Sequence, residues 1–167
     1  MTARIAMLLL GAATAWAQGN PTVCTNATLD GDYGFIVTGM RPSAPGGPIE
    51  MIVGVAMTHF DGNGNLTQTD NIHGSISGFP APDRKGTGTY SINADCSGTM
   101  TLSNPGAPTL TLRIVVVDNG NEVRAAVVDP TATVTAGSPA PQVMVTSNGR
   151  RVTPRALGRG IIVSQSN

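Results

Sequence analysis

Charge is scarce in this chain: Asp, Glu, Lys and Arg make up 12% of 167 residues, ten acidic against ten basic. That balance leaves nothing to support nucleic-acid binding beyond a few arginines near the C-terminus. Aromatics are scarcer, at 4%, and the one Trp, Trp16, lies in the N-terminal apolar run. Tyr33, Phe35, Phe60, Phe79 and Tyr90 remain, so a core must be filled by Val, Ile, Leu, Met and Ala. Two cysteines alone make no zinc site, and neither has a histidine near it in sequence. No apolar run reaches the roughly 20 residues of a membrane-spanning helix, and no convincing helix follows the N-terminal run. No Gly-x-Ser-x-Gly elbow and no cofactor motif occurs, so neither a catalytic residue nor a cofactor is assigned.

The N-terminus has a recognisable address. Met1–Arg4 carries one positive charge, Ile5–Ala13 is apolar, and Ala15-Trp16-Ala17 is a small-x-small site. These are the parts of a secretory signal peptide, expected over residues 1–17, with a secreted or periplasmic mature chain from Gln18. Loss of Arg4 leaves nine basic against ten acidic residues, a net charge of −1. No acid follows Asp129, whereas Arg150, Arg151, Arg155 and Arg159 do. A barrel domain over 18–152 and a solvated, flexible basic tail over 153–167 are the expected division. In an oxidising compartment Cys24 and Cys96 are expected to pair, closing a loop of about 70 residues worth on the order of 4 kcal/mol in the chain-entropy model.

The mature chain is punctuated by turns. Asp61-Gly62-Asn63-Gly64-Asn65, Asn93-Ala94-Asp95, Asn104-Pro105-Gly106-Ala107 and Asp118-Asn119-Gly120-Asn121 all carry residues that tolerate positive φ or start tight turns. Between them run segments of period two. Thr87, Thr89 and Ser91 alternate with Gly88, Tyr90 and Ile92; Tyr33, Phe35 and Val37 share one face of another strand. Ile49–Phe60 has Ile49, Met51, Val53, Val55, Met57 and His59 on one face and Glu50, Ile52, Gly54, Ala56, Thr58 and Phe60 on the other. If Phe60 faces Leu66 across the turn, Val53 falls opposite His73 and Ile52 opposite Gly74. A short strand is also expected over Thr131–Thr135, and Val143 and Val145 fit a last one. About eight sequential strands predict an all-β fold, a single antiparallel up-and-down (meander) barrel, because closure removes exposed edges.

Four segments together, Leu29–Phe35 with Cys24, Phe60–Leu66, Gly88–Thr99 and Val115–Glu122, resemble a group of small exported bacterial proteins of unknown function. The resemblance implies a barrel similar to the allene-oxide-cyclase and lipocalin type. It covers about Cys24 to Asp129 and rests on turn formers and core positions, so it implies no site residue. After Gly137 the pattern is lost.

Candidate chemistry is thin. Asp61-x-Asn63-x-Asn65 begins like a calcium loop, but Leu66 stands where Gly is needed and Ile72 where Glu is needed, so no metal site is assigned. Glu50, His59 and His73 are the candidates for lining a pocket. The two histidines fall several residues out of register, which argues against a shared site. Glu50 is either a partly buried carboxylate with a raised pKa or a surface charge at a wet barrel end, the second being favoured. The leading function is a binding module for a small apolar ligand. The alternatives are a structural or surface-interaction protein and a cyclase- or isomerase-like enzyme.

Overall fold

The structure, a computed structural model, describes residues 23–79, 81–129 and 143–153. The expected leader, the strand expected over 131–135 and the tail from 154 onward lie outside the described residues. Eight antiparallel strands close into a barrel in chain order. They are β1 Asp30–Pro42, β2 Ile49–Asp61, β3 Asn65–Gly74, β4 Arg84–Ile92, β5 Ser97–Leu102, β6 Leu110–Val117, β7 Glu122–Asp129 and β8 Met144–Arg151. β8 returns to β1, from Met144 opposite Met40 to Arg151 opposite Tyr33. Neither edge is therefore left to pair with another chain.

Turn chemistry sets the register. Asp61 Oδ1 accepts from the backbone N–H of Asn63 at 2.8 Å and of Asn65 at 2.9 Å, and Asn65 Nδ2 donates to Asp61 Oδ2 at 2.7 Å. These bonds, led by that of the Asn65 side chain, hold the Asp61 carboxyl down at about 2. The turn puts Phe60 opposite Leu66, Val53 opposite His73 and Ile52 opposite Gly74, as its length predicts. It is a hairpin turn whose Asp61 carboxylate is held by the backbone of Asn63 and Asn65 and by the Asn65 side chain.

Alternation then sorts each strand into an inner and an outer face. Tyr33, Phe35, Phe60, Leu66, Tyr90, Met100, Leu112, Ile114 and Val123 are among the buried inner residues. In β2 the inner set is Ile52, Ala56, Thr58 and Phe60, and the more apolar Met51, Val53, Val55 and Met57 face out. Outer positions elsewhere are largely Thr, Ser, Asn, Lys and Arg, as in Thr67, Thr87, Thr89, Arg113, Arg124 and Asn148. An apolar interior with a mostly polar exterior is the reverse of a membrane-spanning barrel, whose lipid-facing positions are apolar all round. No helix among the described residues is long and apolar enough to cross a membrane.

One end of the barrel is plugged. Residues 24–29, with a helical turn at Asn26–Thr28, fold across it, and Leu29 is fully buried there. Cys24 is bonded to Cys96, their Cα atoms 5.0 Å apart, and Cys24 N donates to Ala94 O at 3.3 Å. The rings of Tyr33 and Tyr90 each meet Phe60 edge-on, at 5.2 and 5.0 Å. Their burial pushes both phenol pKa values up, and the hydroxyls donate to backbone carbonyls: Tyr33 to Gly120, Tyr90 to Leu29 at 2.8 Å. Arg151 completes the closure. Its guanidinium lies 4.9 Å from the Tyr33 ring centroid and donates to the carbonyls of Thr28, Asp30 and Gly120. The pairing of β8 with β1, which sets Arg151 opposite Tyr33, draws it onto the plug.

Candidate functional site: a chamber at the open end

Among the described residues, no side chain fills the other half of the barrel. A cavity of about 520 Å³ opens at the end carrying the 43–48 and 103–109 loops. That volume falls within the range of about 300–1,000 Å³ typical of small-molecule sites. Its lining is largely apolar and includes Val37, Ile52, Ala56, Ile72, Leu112, Val127 and Val145. Phe35 forms its floor toward the aromatic plug, and Pro45 and Pro108 belong to its rim.

One side of the wall is polar. Leu66, Gln68, Asp70 and Ile72 share the inner face of β3, and β4 brings Arg84 opposite Asp70. Arg84 Nε donates to Asp70 Oδ1 at 2.9 Å and Nη2 to Oδ2 at 3.0 Å, a bidentate pair whose carboxylate is almost wholly buried. Oδ2 also accepts from Gln68 Nε2 at 3.2 Å and from Asn104 Nδ2 at 3.1 Å. Thr58 Oγ1 donates to Gln68 Oε1 at 3.1 Å. Since a carboxylate only accepts, the bond to Asp70 fixes which end of the Asn104 amide is nitrogen. The amide oxygen is then buried without a partner, and it lies against Gly86, where a Cβ would collide with it.

Glu50 is buried near this chamber but is not among its lining residues. Its carboxylate accepts from Ser77 N at 2.8 Å, Ser77 Oγ at 2.8 Å, Ile76 N at 3.1 Å and Arg41 Nε at 3.1 Å. Its Oε2 occupies the space that a side chain at Gly74 would take. The donors, Ser77 N first, hold its pKa down at about 2. This corrects both sequence readings: Glu50 is neither a surface charge nor a carboxylate with a raised pKa, because backbone donors of the 75–78 turn outweigh desolvation. His59 and His73 stand on the exposed outer face, as alternation from Phe60 and Gly74 requires, and neither lines the chamber. His59 Nδ1 lies 2.8 Å from Asp32 Oδ1 across β1 and β2, whereas the His73 ring packs beside Phe79. No cluster of three metal-ligating side chains occurs among the described residues.

The residues that do line the polar wall, Gln68, Asp70, Arg84 and Asn104, were not singled out by the sequence reading. A signal was present: with Phe60 opposite Leu66, parity carries Gln68 and Asp70 inward. No family model, curated protein or solved structure matches this chain.

Proposed function

We propose that this protein is an exported binding module whose barrel holds one small, largely apolar molecule in its open half. The chamber carries the reading: an apolar-walled space of about 520 Å³ in a barrel whose other half is packed with aromatics and pinned by a disulfide. A rigid plugged end and a hollow end suit a container that must keep its shape while empty. The N-terminal leader and the Cys24–Cys96 bond support export. Each of the three ionisable groups that line the chamber is ion-paired, Asp70 with Arg84 and Arg41 with Glu50, which favours holding over chemistry. Native mass spectrometry of the chain purified from its own host tests this, with an added mass of a few hundred daltons expected on the folded protein. A bare chain that also takes up no added apolar probe would reject it.

A second reading, a surface-interaction protein, is favoured by the outer face of β1 and β2. Ile36, Val55, Met40 and Met51 pair there across the strands and stand 65%, 57%, 37% and 66% exposed, with Val53 and Met57 beside them. A contiguous apolar strip on a mostly polar barrel exterior suits contact with another macromolecule. Val55→Lys should leave stability nearly unchanged and abolish any association seen by sedimentation; unchanged association would remove the strip from consideration.

A further inference from the structure

The polar wall of the chamber has an uneven set of unused hydrogen-bonding groups. Asp70 spends both oxygens on four N–H bonds, from Arg84 twice, Gln68 and Asn104. Among the described residues, Arg84 Nη1 has no partner, and Nη2 and Gln68 Nε2 each use one hydrogen of two. Arg41 also lines the chamber; it gives only Nε, to Glu50, and keeps both terminal nitrogens. The unpartnered acceptor, Asn104 Oδ1, is covered by Gly86 and turned away from a ligand. The Ser43 and Ser147 hydroxyls, which also line the chamber, can donate or accept, so the charged and amide groups left over are donors.

Charge points differently from donor count. Arg84 faces buried Asp70, and Arg41 faces buried Glu50, so each cation already has its anion. A carboxylate on the ligand would be a third negative charge against two positive ones, in a space lined largely by apolar residues. Taking such a charge from water is costly, and among the described residues no unneutralised cation lines the chamber to offset it. A neutral oxygen acceptor meets the same donors without that cost, and bonds to a charged donor are the stronger kind.

We propose that the ligand is an uncharged apolar molecule bearing a carbonyl-type oxygen, an ester, ketone or lactone, which accepts from Arg84 and Gln68. This rests on the chamber being a binding site, as proposed above. A neutral naphthylamine fluorophore bound in the chamber can be displaced at neutral pH by decane, decanol, decanoate and methyl decanoate in turn. Methyl decanoate should displace it at least about tenfold more effectively than decane or decanoate, the worth of one charge-assisted hydrogen bond. In Asp70→Leu/Arg84→Met, where apolar groups replace the buried pair and only Gln68 of the two donors remains, the ester's advantage over decane should fall well below that of the native chain while the fluorophore still binds. If that variant fails to fold, the four-ligand series on the native chain decides alone. Decanoate binding as well as or better than the ester would overturn the inference, as would an ester no better than decane. A folded native chain that never binds the fluorophore would instead reject the binding reading beneath it.

Discussion

Replacing Cys24 and Cys96 together with serine removes the disulfide cross-link between the plug and the turn before β5. The bond spans a sequence separation of 72. A loop of that size costs the unfolded chain entropy worth about 4 kcal/mol when closed, and the double variant returns that freedom. A domain of this class has only about 5–15 kcal/mol in hand, so the loss is a large share of the total. The local bonds of the plug do not depend on sulfur: Ile92 N still donates to Asn26 Oδ1 at 2.8 Å and Tyr90 Oη to Leu29 O at 2.8 Å. The variant should therefore fold to the same barrel with a much lower urea midpoint, and native chain in reductant should match it. An unchanged midpoint with an unchanged denaturant slope would refute the reasoning, because it would mean that the unfolded state gains nothing from being cut loose.

Phe60→Ala should destabilise the barrel by about 3–5 kcal/mol in thermal or urea unfolding, because Phe60 is fully buried and joins Tyr33, Phe35 and Tyr90 in one cluster. Acid should weaken the fold through Glu50: its pKa of about 2 in the folded chain lies below its ordinary 4.5. Its stabilisation is complete above about pH 4.5 and is lost as pH falls toward 2. Glu50→Gln should flatten that part of a plot of urea midpoint against pH, and a variant with the same acid slope as the native chain would assign the loss elsewhere.

Local rules made much of the fold legible. The Asp61–Asn65 turn carries its own hydrogen bonds, so the β2–β3 register could be counted out from it. The pairing of Cys24 with Cys96 follows from there being two cysteines and an N-terminal segment that reads as an export leader. The interior of β2 was harder, since both of its faces are apolar: hydrophobicity gives no preference between Val53 and Ile52. Closure decides it, because Phe60 must meet Tyr33 and Tyr90 inside. Glu50 was illegible for a related reason. Its burial depends on Arg41, Ser77 and Ile76, of which two lie more than twenty residues away and on a turn whose conformation no pattern announces. Asp70 and Arg84 are 14 residues apart and look like ordinary surface charges until β3 and β4 are paired. The last strand, β8, is Met144–Arg151, with an outer face of Met144, Thr146, Asn148 and Arg150 and little apolar signal. Its place is set by what it closes against.

The most direct test of the account is equilibrium uptake of a neutral fluorescent naphthylamine by the native chain and by Ala56→Phe, which puts a ring where the chamber wall is smallest. The native protein should bind one probe saturably, and the variant, still folded by circular dichroism, should bind it far more weakly. A folded native chain with no saturable uptake, or a variant that binds equally well, would contradict a hollow, ligand-holding barrel.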